Sequence, residues 1–208
     1  MSKLTKTEED SDTQYTIVDP SNTYIDPFVE LGKGCVIEPF SFIKGKTKIG
    51  DNTRIGPNSY LENMIVGSNC KIFYSVCIDS TLEKDVQIGP YSRVRDNSFI
   101  SDGVYIGNYA EIKNCNIREK SIISHFTYIG DATIGANVNI GAGAVTCNYD
   151  GESKHHTFIG DNCFIGSGTM LIAPLNIGAK SITGAGSVVT MNVEENITVV
   201  GNPARKLK

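Results

Sequence analysis

The chain has 208 residues, 40% of them hydrophobic, and a formal net charge of −4, a composition that describes a folded globular or repeat protein and argues against whole-chain disorder. That charge leaves no basic surplus to neutralise a row of phosphates, and neither zinc-finger spacing nor an aromatic ribonucleoprotein signature is present, so nucleic acid is not an expected partner. No apolar run reaches the roughly 20 residues of a spanning helix and Met1–Gln14 lacks the apolar centre of a secretory signal, which predicts a cytoplasmic protein with no membrane partner.

In chain order, residues 1–14 read as a disordered polar tail. Residues 15–192 carry a period of six: Leu31, Ile37, Ile43, Ile49, Ile55 and Leu61 are aliphatic at that step. Val66, Ile72 and Ile78 continue it after a step of five, and Ile88, Val94, Ile100, Ile106 and Ile112 restore it after a disturbance around Leu82. Ile117, Ile123, Ile129, Ile134 and Ile140 follow, then Ile159, Ile165, Leu171 and Ile177. Four places after the aliphatic the residue is mostly small or β-branched, as at Ser41, Thr53, Ser92, Ser121, Thr127, Thr133 and Ala144, and both positions should point inward. A Gly after the aliphatic and an Asn two places later, as in Ile49-Gly-Asp-Asn52, are the residues that accept positive φ most cheaply. Each hexad then holds one short strand and one corner. Three make a coil of about 18 residues, and coils stack about 4.8 Å apart. The fold class is all-β, a parallel β-helix of roughly nine or ten coils with prolines 20, 27 and 39 at entry corners.

The period fails between Ile140 and Ile159, where the polar residues 147–157 should leave the coil as one protruding loop, either a binding loop or a plain surface insertion. Residues 193–208 form a C-terminal extension. The cysteines at 35, 70, 77, 115, 147 and 163 contain no C-x-x-C pair and read as reduced, buried, small apolar residues; no metal site is expected.

Periodicity also places candidate chemistry. Arg95 and Lys113 follow aliphatics three hexads apart, so they should stack about 5 Å apart on one face. Their repulsion would be relieved by a bound phosphate, or else they form a solvated charged face. His125 lies two places past an inward aliphatic, near a corner, where an imidazole could serve as general base or simply face solvent. Glu111, Tyr128 and Asn139 each precede an inward aliphatic and should face outward or lie at a corner.

From Ile88 onward the blocks Ile88-Gly-Pro-Tyr-Ser-Arg-Val-Arg95, Ile106-Gly-Asn-Tyr-Ala-Glu-Ile-Lys113, Ser124-His-Phe-Thr-Tyr-Ile-Gly-Asp131, Asn137-Val-Asn-Ile-Gly-Ala-Gly143 and Thr146-Cys-Asn-Tyr-Asp-Gly151 resemble a known family. It is the acetyltransferase domain of the bifunctional glucosamine-1-phosphate N-acetyltransferase and N-acetylglucosamine-1-phosphate uridyltransferase, within the hexapeptide-repeat acyltransferases. The resemblance implies a left-handed helix, a homotrimer with sites between subunits, acetyl-CoA as cosubstrate and no metal for acetyl transfer. It implies His125 as general base, with Glu111 orienting it; Arg95, Lys113, Tyr128, Asn139 and Lys154 as sugar-phosphate contacts; and Asn148, Tyr149, Ser167 and Ala185 along the acetyl-transfer site and coenzyme groove. Arg205 and Lys206 are candidates for the coenzyme phosphates, since the chain ends in Val200-Gly-Asn-Pro-Ala-Arg-Lys-Leu-Lys208 and lacks the family's longer basic arm. Asn114 stands where the family often has a second lysine, and the nucleotide-binding domain of the bifunctional enzyme is absent, so uridyl transfer is not expected. The acceptor reads as glucosamine 1-phosphate. Another amino sugar or sugar nucleotide, or a catalytically idle binding module, are the alternatives; the adjacent His155 and His156 do not supply the three spaced histidines of a zinc carbonic anhydrase.

Overall fold

A computed structural model describes residues 15–207, so the expected tail at 1–14 lies outside the described residues. Short parallel strands, most of two or three residues, wind into a left-handed β-helix of about ten turns. One face is a 12-stranded sheet running from Thr16–Ile17 to Thr198–Val200, closed by the antiparallel strand Arg205–Lys206. The other two faces join in a 17-stranded sheet, because Glu111–Ile117 and Tyr128–Ile134 run through the corner between them. Among the described residues no helix is long and apolar enough to cross a membrane.

The core is a set of inward columns. On the first face Ile37, Ile55, Ile72, Ile88, Ile106, Ile123, Ile140 and Ile165 stack in register, each at most 2% exposed. Each such side chain contributes about 1.5–3 kcal/mol of burial. At the inner corners small hydroxyl residues complete the ladder where the turn interrupts it. The Ser121 hydroxyl donates to the Gly135 carbonyl (2.7 Å) and accepts from the Val138 amide (3.0 Å), tying one coil to the next.

The register differs from the expected one at two places, for one reason: some corners take five residues rather than six. Ile78 is not an inward residue; Cys77, fully buried, pairs with Leu61 and Val94 and fills that place. Steps of five on both sides of Cys77 keep Leu82 in register, so no disturbance occurs there. Similarly Ala132, not Thr133, points inward after Ile129, and Thr133 faces out. The Asn positions do adopt positive φ, at Asn52, Asn58, Asn69, Asn137 and Asn162. The Gly after the aliphatic mostly serves close approach instead: a Cβ on Gly50 would lie 2.7 Å from the Gly67 carbonyl carbon in the next coil.

All six cysteines are free, and all but Cys147 are buried. Burial pushes the thiols of Cys77 up to about 12 and of Cys70 and Cys115 up to about 11.

Candidate active site

Two corners and the face between them build the site. At the corner leaving the first face, Ile123 points in, His125 and Phe126 are exposed, and the Thr127 hydroxyl donates to the His125 carbonyl (2.8 Å). His125 stacks in a column with Ala142, Ser167 and Ala185, shown by the ladder bonds Gly143 N to His125 O, Gly168 N to Ala142 O and Gly186 N to Ser167 O. One place further along, the corner carries aromatic rings up to His125's own coil. Tyr74, Tyr91, Tyr109 and Phe126 follow one another at centroid distances of 5.6, 5.4 and 5.1 Å, all at positive φ. Beyond Phe126 the same position is Gly143, Gly168 and Gly186. A Cβ on Gly186 would meet nothing within 4 Å. The corner therefore changes at His125 from a bulky ridge to an open strip of backbone in which Ser167 and Ala185 lie exposed.

The second face carries the charges. Register places Arg93, Glu111, Tyr128 and Val145 in one outward column and Arg95, Lys113 and Gly130 in the next. Gly130 leaves room: a Cβ there would lie 2.4 Å from the Tyr128 hydroxyl and 2.8 Å from Asn148 Nδ2. Glu111 Oε1 accepts from Arg95 Nε and Nη2, both at 2.8 Å, while Asp96 Oδ2 accepts from Arg95 Nη1 at 2.8 Å. Burial lowers the Arg95 pKa, and these two carboxylates more than offset it. Lys113, only 9% exposed, lies 3.7 Å from Asp96 and 3.9 Å from Asp131. Asp131 in turn accepts from Asn114 Nδ2 (2.6 Å) and Asn148 Nδ2 (2.5 Å). Desolvation pushes its carboxyl up, yet these hydrogen bonds and the Lys113 and Lys154 charges hold it below its ordinary value.

The loop brings in the third cation. It folds as a small hairpin bridged at Tyr149 and Lys154. Asp150 accepts from the Glu152 and Ser153 amides (2.8 and 2.7 Å) and faces His155, and together these hold its carboxyl far below the usual range. His156 packs on Phe158 (4.4 Å) and bonds the Thr133 hydroxyl (2.9 Å), anchoring the hairpin to the coil. Lys154 then reaches Lys113: the contact lowers the Lys154 pKa and raises that of Lys113.

Of the residues singled out by sequence, Arg95, Glu111, Lys113, Tyr128, Asn148 and Lys154 thus come together on or beside the second face. His125, Ser167 and Ala185 share the neighbouring corner, and half-buried Asn139 precedes Ile140 on the first face. Tyr149 is exposed, its hydroxyl on the Gly151 carbonyl, and the Arg205 guanidinium bonds the Ala204 carbonyl. Among the described residues no hydrogen bond reaches the His125 ring, and Glu111 is engaged by Arg95. Asp96 and Asp131 escaped the sequence reading, and His156, whose place in the polar loop suggests solvated surface, is instead bonded to Thr133 and packed on Phe158. Asp131 had a signal, because it follows Gly130, the register partner of a lysine that needs a counterion once buried.

The fold is a hexapeptide-repeat β-helix. The hexapeptide repeat of succinyl-transferase matches residues 46–73, and the GMPPB C-terminal domain matches residues 76–185. The chain belongs to the GMPPB C-terminal domain family, and within it resembles the acetyltransferase domain of the bifunctional protein GlmU. GlmU of Thermotoga petrophila is 46% identical over 191 residues, covering 92% of this chain and 43% of that protein. GlmU of Fervidobacterium nodosum is 45% identical over 193 residues, 93% of this chain and 43% of that protein. The chain thus spans less than half the length of these relatives. Among solved structures, the UDP-N-acetylglucosamine acyltransferases of Francisella novicida and Campylobacter jejuni match with TM-scores of 0.53 and 0.52 at 16% and 21% identity. These matches cover 92% of this chain and 68% and 74% of the respective partners, a likeness of fold.

Proposed function

We propose that this protein transfers the acetyl group of acetyl-CoA to the amine of glucosamine 1-phosphate, giving N-acetylglucosamine 1-phosphate. The observation that carries the reading is the convergence of Arg95, Lys113 and Lys154 on one face, next to the corner that holds His125. Three cations on one patch suit a phosphate dianion, which accepts several charge-assisted hydrogen bonds at once. Tyr128 beside that patch and Asn139 on the first face are read as sugar contacts, and Glu111 keeps Arg95 in place while orienting His125 in the assembled site. The open glycine strip beyond Phe126 fits the coenzyme's pantetheine arm, with Ser167 and Ala185 along it, while Asn148 and Tyr149, beside the second face, are read as lining the acetyl-transfer site. Arg205 is the candidate for the coenzyme phosphates.

In this reading the sugar nitrogen attacks the thioester carbon directly. The C–N bond forms, the C–S bond breaks, His125 takes the ammonium proton, and the departing thiolate receives a proton. Holding both reactants side by side supplies most of the acceleration, and no enzyme nucleophile is needed. That agrees with thiols held protonated by burial. We place the site between subunits of a homotrimer. The exposed rings of Tyr91, Tyr109 and Phe126, 55%, 52% and 62% exposed, support a neighbouring chain against this corner.

The test is thiol release from acetyl-CoA with glucosamine 1-phosphate, glucosamine 6-phosphate and UDP-linked amino sugars as acceptors. Turnover with glucosamine 1-phosphate, abolished in His125→Ala while the oligomer persists, is expected. Release with none of the acceptors would replace the enzyme reading by a binding module, and normal turnover in His125→Ala would remove the histidine from the chemistry.

A further inference from the structure

The corner after Val94 is one residue longer than the corners stacked on either side. Register pairs Cys77 with Val94 and Val94 with Ile112, and likewise Leu82 with Ile100 and Ile100 with Ile117. The chain takes five steps from Cys77 to Leu82 and from Ile112 to Ile117, but six from Val94 to Ile100. Each tight corner turns on one left-handed residue, Asp79 (φ 46°) or Asn114 (φ 50°), whereas the wide one uses both Asp96 and Asn97 at φ 58°. The Asn97 amide takes the ladder bond to the Asp79 carbonyl (2.8 Å), so Asp96 is the additional residue.

This extra residue puts a carboxylate between the two stacked cations, 2.8 Å from Arg95 Nη1 and 3.7 Å from Lys113 Nζ. The other carboxylates of the site are fastened more firmly. Glu111 takes two donors of the Arg95 guanidinium, and Asp131 is clasped by the Asn114 and Asn148 amides. Among the described residues the Asp96 side chain makes ion pairs only with those two cations, with Lys154 attracting it from the same depression, and it is 45% exposed. Asp79 lines the same open depression of about 530 Å³, so a like charge opposes it there.

We infer that Asp96 is an internal anion: its carboxylate fills the Arg95–Lys113 cradle in the free protein and is displaced by the acceptor's phosphate, so that residue 96 sets an affinity threshold that weakly bound anions do not clear. The inference rests on reading the site as one for a phosphorylated acceptor. A tethered carboxylate competes at high effective concentration with free monoanions such as chloride. A phosphate dianion brings twice the charge and more acceptor oxygens, so it can still displace Asp96. Releasing an exposed carboxylate to water costs little, because such pairs are weak. The residue therefore lowers affinity for every anion while leaving dianions favoured over monoanions.

The test compares wild type, Asp96→Asn and Asp96→Glu by calorimetric titration with inorganic phosphate and with glucosamine 1-phosphate, each at low and high chloride. Asn tolerates the positive φ, so the corner is retained without the charge. Expected are about two- to tenfold tighter phosphate binding in Asp96→Asn, a return toward wild type in Asp96→Glu, and stronger chloride competition in Asp96→Asn. Equal phosphate affinity in all three proteins, or no phosphate binding by any of them, overturns the inference. The two readings fail separately. Tighter phosphate binding without any use of glucosamine 1-phosphate keeps the internal anion and removes the proposed acceptor. Acetylation of that sugar with phosphate affinity unaltered in Asp96→Asn does the reverse.

Discussion

Replacing Asp131 by asparagine separates the charge of this residue from its shape. The side chain is 12% exposed, and its two oxygens each accept one amide hydrogen, from Asn114 at 2.6 Å and Asn148 at 2.5 Å. The amide introduced at position 131 can keep both contacts if exposed Asn114 turns its own oxygen inward, so two charge-assisted hydrogen bonds become neutral ones. That change costs about 1 kcal/mol for each bond. Loss of the partner 3.9 Å from Lys113 Nζ adds about 0.5–1 kcal/mol. The sum, about 2–3 kcal/mol, lowers the melting temperature of a chain this size by roughly 5–10 °C. Because the folded protein holds the Asp131 carboxyl below its ordinary value, this stabilisation is complete above the unfolded value of about 3.9 and is lost as pH falls through the folded one. Thermal unfolding followed by circular dichroism should show the variant melting early at pH 7 and the gap narrowing as pH falls below the unfolded carboxylate value of about 3.9. Coincident melts at pH 7 would refute the network.

Gly107→Ala would put a Cβ 1.6 Å from the Ser124 carbonyl oxygen, so the strand end carrying His125 has to move; thiol release should fall at least about tenfold. Thr146→Val keeps the shape but removes the bonds to the Gly130 amide (2.8 Å) and carbonyl (3.0 Å), and urea denaturation should register a loss of about 1–3 kcal/mol. His156→Ala unpins the hairpin from Thr133 and Phe158, so limited proteolysis should cut faster within residues 148–156. Gly168→Phe places a ring where Tyr91 and Tyr109 already sit at φ 61° and 56°, so the backbone at φ 68° accepts it. The ring would fill the open strip, and the KM for acetyl-CoA should rise at least about tenfold with little change for the acceptor; an unmoved KM would put the coenzyme elsewhere.

The parallel coil and nearly all of its inward columns were legible, because an aliphatic every six residues has no other way to be buried. What failed at Ile78 and Thr133 was local. Cys77 and Ala132 are small enough to pass for corner residues, and the more hydrophobic or β-branched neighbour draws the register by one place. The stacking of Arg95 on Lys113 followed from counting alone. The carboxylates around them did not, since Asp96 reaches Lys113, and Asp131 reaches both Lys113 and Asn114, across coils through side-chain geometry that a period does not encode. The hairpin was visible as a break in the period; that its anchor is His156 on outward-facing Thr133 depended on the five-residue corner before it.

In a solenoid each coil contacts only its neighbours, so stability asks the same of every coil and gives no reason for a column to change character. The columns nevertheless change within one stretch. Aromatic corners give way to glycine between Phe126 and Gly143, the inward aliphatics of the second face give way to hydroxyl-bearing Thr146 after Ile129, and the second corner gains Asp96 between two tighter turns. The glycine and Thr146 changes weaken packing or add buried polarity, which the mostly aliphatic inward columns of the flanking coils can offset. A scaffold built from interchangeable coils can therefore carry several unfavourable substitutions side by side. Their coincidence on adjacent coils is a physical reason, independent of any relative, to seek the chemistry between Val94 and Leu171.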